Sequence, residues 1–190
     1  MPLDAMNDIS DDALLVLYAN GDKSAAVVLT QRLTPMVFSL AARLLNDQAE
    51  AEDVTQEAMM RLWKMAPEWR QGEAKLSTWL YKVTSNLVMD RLRRKRGVGL
   101  DEIPEPEDDR PGIERQLIAE DRLTALQQAL QELPERQREA VVLRHIEGLG
   151  NPEIAEIMEI GVEAVESLTA RGKRKLSQLL LGQRDELGLE

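Results

Sequence analysis

Apolar side chains recur every three or four residues along most of this chain, and no stretch alternates strictly over more than a few positions. That period belongs to helices with one buried stripe and leaves no segment that reads as a strand. Aromatics are only 3% of the residues, which also disfavours sandwiches and barrels. The expected fold class is all-α. A chain of 190 residues holds one large domain or two small ones, and the punctuation favours two.

The spacing predicts a short helix over residues 11–20, stopped at Asn20-Gly21-Asp22, and a long one over 23–45 that Pro35 should break or kink. Asn46-Asp47 ends it, and a third helix is expected over residues 50–65. Residues 67–77 read as a loop around Gly72, with Ser77 or Thr78 capping a helix over 79–96. Pro104, Pro106, Pro111 and a block of acids make residues 98–112 a solvated, flexible linker between domains at 1–97 and 113–190. Beyond it, helices are expected over 113–133 and, after Pro134, over 135–147, with a turn at Gly148-Leu149-Gly150. Asn151 as N-cap before Pro152 opens a short helix to Met158, and Ile160-Gly161 turns into a longer one over 162–181. Helix, tight turn, longer helix is a helix-turn-helix pattern. Ile154, Ala155, Ile157, Ile160, Val162, Val165 and Leu168 are its expected apolar contacts.

Charge is unevenly placed. The net value is −10, yet residues 1–99 are balanced, while 100–122 carry nine acids against three bases. Nucleic-acid binding follows local potential and not the total. Arg91, Arg93, Arg94, Lys95 and Arg96 form one basic cluster, just after Trp69, Trp79 and Tyr81; Arg171, Lys173, Arg174 and Lys175 form another on the last helix. Aromatics beside cations suit unstacked bases and their phosphates. A helix-turn-helix lays its second helix in the major groove. A plain helical hairpin and a solvated helix end are the bland alternatives. A chain this acidic should bind bare DNA poorly by itself, which points to work inside a larger complex.

Chemistry of other kinds finds little footing. There are no cysteines, so disulfides and thiolate metal sites are excluded, in keeping with a reducing cytoplasm. The lone His145 has no partner for a metal, and no phosphate-cradling glycine loop or nucleophile elbow occurs. No cofactor, metal or catalytic residue is expected. No apolar run approaches the ~20 residues of a membrane span, and four aspartates in residues 1–12 argue against a signal peptide.

Three segments together resemble a known family. Glu52-Asp53-Val54-Thr55-Gln56-Glu57-Ala58, followed by Arg61-Leu62-Trp63, resembles the core-binding helix of bacterial sigma factors. Trp79-Leu80-Tyr81-Lys82-Val83, then Asn86-Leu87 and Asp90-Arg91-Leu92-Arg93-Arg94, resembles their promoter-melting helices. Leu133-Pro134-Glu135-Arg136-Gln137-Arg138-Glu139, with Leu143-Arg144, Glu147-Gly148-Leu149 and Glu153-Ile154-Ala155-Glu156-Ile157, resembles their promoter-reading domain. Order and spacing match the compact extracytoplasmic-function (ECF) class.

The resemblance implies a cytoplasmic, non-enzymatic factor that directs RNA polymerase core to promoters and is held inactive by an anti-sigma factor. Asp53, Gln56, Glu57 and Arg61 would bind the β′ clamp helices. Trp69, Ser77, Trp79, Asn86, Arg91, Arg93 and Arg94 would serve the minus-ten element, with a flipped base taken into the loop at 69–77. Arg136, Val162, Glu163, Glu166, Ser167, Thr169, Arg171, Lys173 and Arg174 would serve the minus-thirty-five element, and the second domain would touch the β flap. The chain departs from the family at Glu159, where glycine is common, at Glu166 and Leu168, where a basic residue and an arginine are common, and at Leu76, in place of phenylalanine. Two other classes stay open on the residues alone: a stand-alone helix-turn-helix regulator binding duplex as a homodimer, and a protein-binding helical adaptor.

Overall fold

A computed structural model describes residues 3–97 and 114–186, and these are helical with short connections. The expected linker at 98–112 falls outside the described residues. Four helices form the N-terminal bundle: α1 (Asp11–Ala19), α2 (Lys23–Leu45), α3 (Gln48–Met65) and α4 (Leu76–Gly97). Side chains set their ends. Ser10 accepts from the Ala13 amide, Asp22 from the Ser24 amide at 2.9 Å, and Asp47 from the Glu50 amide at 3.0 Å. Each of these carboxylates or hydroxyls satisfies an N–H that a helix start leaves orphaned. Asn46 stops α2 by turning left-handed at φ 50°, a conformation that asparagine tolerates.

α2 runs down the middle of this bundle, and Leu29, Leu33, Val37, Leu40, Ala41 and Leu44 are fully or nearly fully buried against its neighbours. It is long and apolar enough to cross a membrane by length and composition, which the sequence reading did not anticipate; its apolar stripe is occupied by protein. Pro35 neither breaks nor ends it. That proline is exposed, so its ring lies on the solvent side of the helix. The Arg32 guanidinium straps the N-terminal segment to α2, donating to the carbonyls of Met6, Asn7 and Ile9 and to Asp11 at 2.7–3.1 Å. α4 starts three residues earlier than expected. Leu76 is buried and draws the first turn into the core, the Trp79 amide donates to Lys75 O at 3.1 Å, and Ser77 and Thr78 lie inside the helix instead of capping it.

The C-terminal helices are α5 (Glu114–Gln131), α6 (Glu135–Val141), α7 (Asn151–Met158) and α8 (Val162–Glu186). α6 continues into a π-helical turn over Val142–Ile146, where the Glu147 amide reaches back five residues to Val142 O at 2.9 Å. α7 begins at Asn151 itself, with Gly150 as the extended residue before it, so the asparagine is inside the helix and not its cap. α7 ends on Glu159, left-handed at φ 56°, and the chain turns into α8: the helix-turn-helix is formed. Ile154, Ile157 and Val165 are buried at the crossing, but Val162 is 40% exposed and contributes little to it. Gly172 lets α8 lie close against α6; a Cβ there would stand 2.5 Å from Val141 Cγ2 and 3.2 Å from Gln137 O.

The two sets of helices touch. α6 and α7 pack on α2 and α4, and one cluster of buried residues runs through both. The last carbonyls of α2 receive donors from the C-terminal half: Gln127 Nε2 reaches Arg43 O at 3.1 Å, Gln131 Nε2 the same oxygen at 3.1 Å, and Arg138 Nη1 Leu44 O at 3.0 Å. A helix C-terminus needs such partners, and a guanidinium there also suits the helix dipole.

Candidate polymerase and nucleic-acid interfaces

α3 divides cleanly. Ala51, Val54, Thr55, Ala58, Met59 and Leu62 are buried, which turns Glu52, Asp53, Gln56, Met60 and Arg61 outward, with Glu57 half-exposed beside them. Arg61 Nη2 meets Glu57 Oε1 at 2.7 Å one turn away. Four of the sequence-predicted residues, Asp53, Gln56, Glu57 and Arg61, thus share one solvent face, bordered by Met60 at 57% exposure. An acidic and amide face with one large apolar side chain is suited to a protein partner.

The loop before α4 is anchored by Trp69, whose indole N–H donates to Asp12 Oδ1 at 3.1 Å while its ring packs on the core. Trp79 is half-buried in the same way and Ser77 half-exposed. Trp79, Asn86 and Arg93 follow at seven-residue steps, so they fall on one stripe of α4. Asn86 and Arg94 are exposed, and Arg93 is open apart from Asp90 at 3.3 Å. Arg91 differs, since its guanidinium pairs with Glu50 and ties α4 to α3. Lys95 faces Asp47 at 3.8 Å. Arg96 meets Glu135 at 3.3 Å, so four of the five cations at the basic end of α4 face an acid among the described residues.

On α8, Glu163, Glu166, Arg171, Lys173 and Arg174 are exposed together with Val162, whereas Ser167 and Thr169 are half-buried and Thr169 Oγ1 is enclosed without a hydrogen-bond partner. The open surface of this helix runs from acidic at its start to basic beyond Arg171. Arg136 stays exposed while donating to Met158 O at the end of α7 and to Glu139, both at 3.3 Å. His145 is pushed toward the neutral imidazole by burial and by Lys173 and Arg144. No group of three or more metal-ligating side chains occurs among the described residues.

Several residues matter that pattern reading passed over. Arg138, 7% exposed, donates to the carbonyls of Leu130, Leu44, Gln131 and Leu133 at 2.8–3.1 Å. Burial depresses its proton affinity. The Glu139 carboxyl is raised above its ordinary range by burial, in spite of hydrogen bonds from Ser85 and Arg136. Glu147 accepts from Ser39 at 2.8 Å and from the Tyr81 hydroxyl at 2.9 Å, and burial with this carboxylate drives the phenol pKa far up. Only a hydroxyl or cation on α4 facing each acid of α6–α7 could have hinted at these pairs.

Described residues that are helical, with an exposed acidic and amide face on α3, a basic end on α4 and a helix-turn-helix, fit the build of a DNA-reading initiation factor. Comparison with known proteins makes the class definite. Residues 29–98 match Sigma-70 region 2, and residues 123–176 match Sigma-70 region 4. The ECF RNA polymerase sigma factor SigM of Mycobacterium tuberculosis is 31% identical over 90% of this chain and 85% of its own length. SigE of Mycolicibacterium smegmatis is 34% identical over 87% of this chain, which spans 66% of that longer protein. Among solved structures, CnrH in complex with the cytosolic domain of CnrY superposes with a TM-score of 0.68 at 25% identity, covering 90% of this chain and 97% of that one. The chain belongs to the ECF class of RNA polymerase sigma factors.

Proposed function

We propose that this protein binds RNA polymerase core and carries it to promoters, where it opens the minus-ten element with α4 and reads the minus-thirty-five element with α8. One observation carries the reading: α3, with its outward Asp53, Gln56, Glu57 and Arg61 face, and α4, with its Trp79, Asn86 and Arg93 stripe, belong to one packed bundle. A factor built this way holds the enzyme on one side and the strand on the other. The functional division is residues 1–97 for core binding and melting, 98–112 as tether, and 113–190 for upstream recognition. It works in the cytoplasm, without cofactor, and performs no chemistry itself.

In the minus-ten contact, Trp69 and Trp79 form a fixed edge against which an unstacked base rests, Ser77 and Asn86 supply hydrogen bonds, and Arg93 and Arg94 hold phosphates. Arg91 acts by keeping α4 on α3. Unstacking costs a few kcal/mol per base, and stacking on an aromatic returns about 1–3. Upstream, Val162, Glu163, Glu166 and Ser167 face base edges. Arg171, Lys173 and Arg174 take phosphates, while Arg136 and Thr169 set the pose of the two helices. A glutamate in the groove accepts from cytosine N4, so an element with cytosine under Glu163 or Glu166 is favoured. An anti-sigma factor is the expected regulator; the capture of CnrH with a protein partner supports a docking surface of that kind.

The test is run-off transcription with purified core enzyme on a template library randomised upstream of the start. Specific initiation that selects two separated elements is expected. Tight duplex binding without polymerase would instead favour a stand-alone regulator.

A further inference from the structure

The loop that leads into α4 is held at one end by a bond that crosses the bundle. Residues 70–75 are all exposed, while Ala66 before them and Leu76 after them are buried. Inside the loop Arg70 and Glu73 stand 3.8 Å apart in open solvent, a pair of the kind that contributes little. Lys75 at the far end meets Glu153. At the near end Trp69 turns extended after the single helical turn Ala66–Glu68. Its indole N–H donates to Asp12 Oδ1 at 3.1 Å.

The acceptor is itself firmly placed. Asp12 lies in the first turn of α1, whose Leu14 and Leu15 are fully buried and whose start is capped by Ser10. The neighbouring Asp11 accepts from Arg32 of α2 at 2.9 Å, and the same guanidinium holds the carbonyls of Met6, Asn7 and Ile9. α1 also packs on the Ala66–Glu68 turn. A line of contacts thus runs from α2 through the N-terminal segment to the indole. That segment precedes the part of the chain that matches Sigma-70 region 2, which begins at residue 29.

An indole has one donor and no acceptor. With that donor given to Asp12, Trp69 has none left for a base edge, and what it offers an unstacked base is its ring. A bond from the N–H to a carboxylate is stronger than one between neutral groups, and it holds the ring in one orientation. We infer that Asp12 is a positioning residue for the minus-ten contact: it fixes the Trp69 ring, and through it the course of residues 70–75, so that a melted base meets a preset surface. The inference rests on the sigma-factor reading above. Without Asp12 the indole is free to turn, its N–H competes for base acceptors, and the loop has to be ordered as the base enters, which costs entropy at that moment. Opening becomes slower and less selective, while the duplex is located as before.

The test uses the full chain with core polymerase on a promoter template carrying 2-aminopurine in the minus-ten element, whose fluorescence reports unstacking. Asp12→Leu removes the acceptor, Asp12→Asn keeps an acceptor oxygen, and Trp69→Phe keeps a ring and removes the donor. Asp12→Leu should slow opening about fivefold, leave the affinity of the closed complex unchanged and flatten the preference among bases at the flipped position. Asp12→Asn should stay close to the wild type. Adding Asp12→Leu to Trp69→Phe should bring no further loss of opening, because the bond through which Asp12 acts is already gone. Melting temperatures are recorded for every variant. A drop in melting temperature with opening and base preference unmoved overturns the positioning role, and so does an undiminished loss from Asp12→Leu in the Trp69→Phe background. If the wild-type chain never opens or transcribes any template with core enzyme, the sigma-factor reading fails and takes this role with it. If the wild type initiates and Asp12→Leu opens the template as fast with the same preference, the role of Asp12 alone is refuted.

Discussion

Replacing Gly172 by alanine sets two effects of known size against each other. In a solvated helix the change favours folding by about 1 kcal/mol, because glycine is the poorer helix former. Here the new Cβ would lie 2.5 Å from Val141 Cγ2 and 3.2 Å from the Gln137 carbonyl. Val141 is 2% exposed, and its branched side chain has little room to withdraw. Overpacking of this kind costs about 1–3 kcal/mol, so the clash should win by roughly 1 kcal/mol and lower the melting temperature by about 3 °C in a chain of this length. Circular dichroism melts of the wild type, Gly172→Ala, Val141→Ala and the double variant form the cycle. In the Val141→Ala background the same alanine should be neutral or stabilising, since the atom it collides with is gone. A higher melting temperature for Gly172→Ala in the native background would refute the claim that α8 needs glycine to approach α6.

Three further outcomes are expected. Arg138→Met leaves up to four carbonyls short of a donor and should cost about 3–5 kcal/mol in urea unfolding; a loss under 1 would show that the guanidinium is dispensable. Reversing Asp53 and Glu57 to lysine should weaken binding to core polymerase by tenfold or more, a change on the order of 1.4 kcal/mol, with the melting temperature unmoved; equal affinity removes α3 from that interface. Glu139 titrates higher when folded than when unfolded because of burial. The folded chain therefore holds that proton more tightly, and this contribution makes stability fall as pH climbs from the ordinary carboxylate value toward the raised one. Glu139→Gln should flatten that slope in pH-dependent denaturation, and an unaltered slope would mean the carboxyl is not held in a buried site.

Most of the architecture was legible because it depends on local signals. Asn46 and Asp47 announce a stop and a start, Pro134 separates α5 from α6, and the 3.6-residue stripe on α3 fixes which side chains face outward. The acidic face of α3 followed directly from that stripe, whereas Val162 at the start of α8, expected at the helix crossing, is exposed. The misses are tertiary. Leu76 is an unremarkable loop residue until the core claims it and pulls the start of α4 forward. Pro35 reads as a breaker but sits on the solvent side of a helix held by packing along its other face. Trp69 pairs with Asp12 across 57 residues, and Arg138 reaches a carbonyl 94 residues away. No window along the chain contains both partners of such a contact.

The π turn after α6 has a geometric consequence for reading this helix at all. Five residues close the loop that four close elsewhere, so every later side chain points about 100° away from where an unbroken spiral would send it. A helical wheel drawn from Glu135 is right as far as Val141 and rotated after it. Glu147 is the residue that profits: the inserted step swings its carboxylate round to the hydroxyls of Ser39 and Tyr81, a heading that the surrounding periodicity conceals.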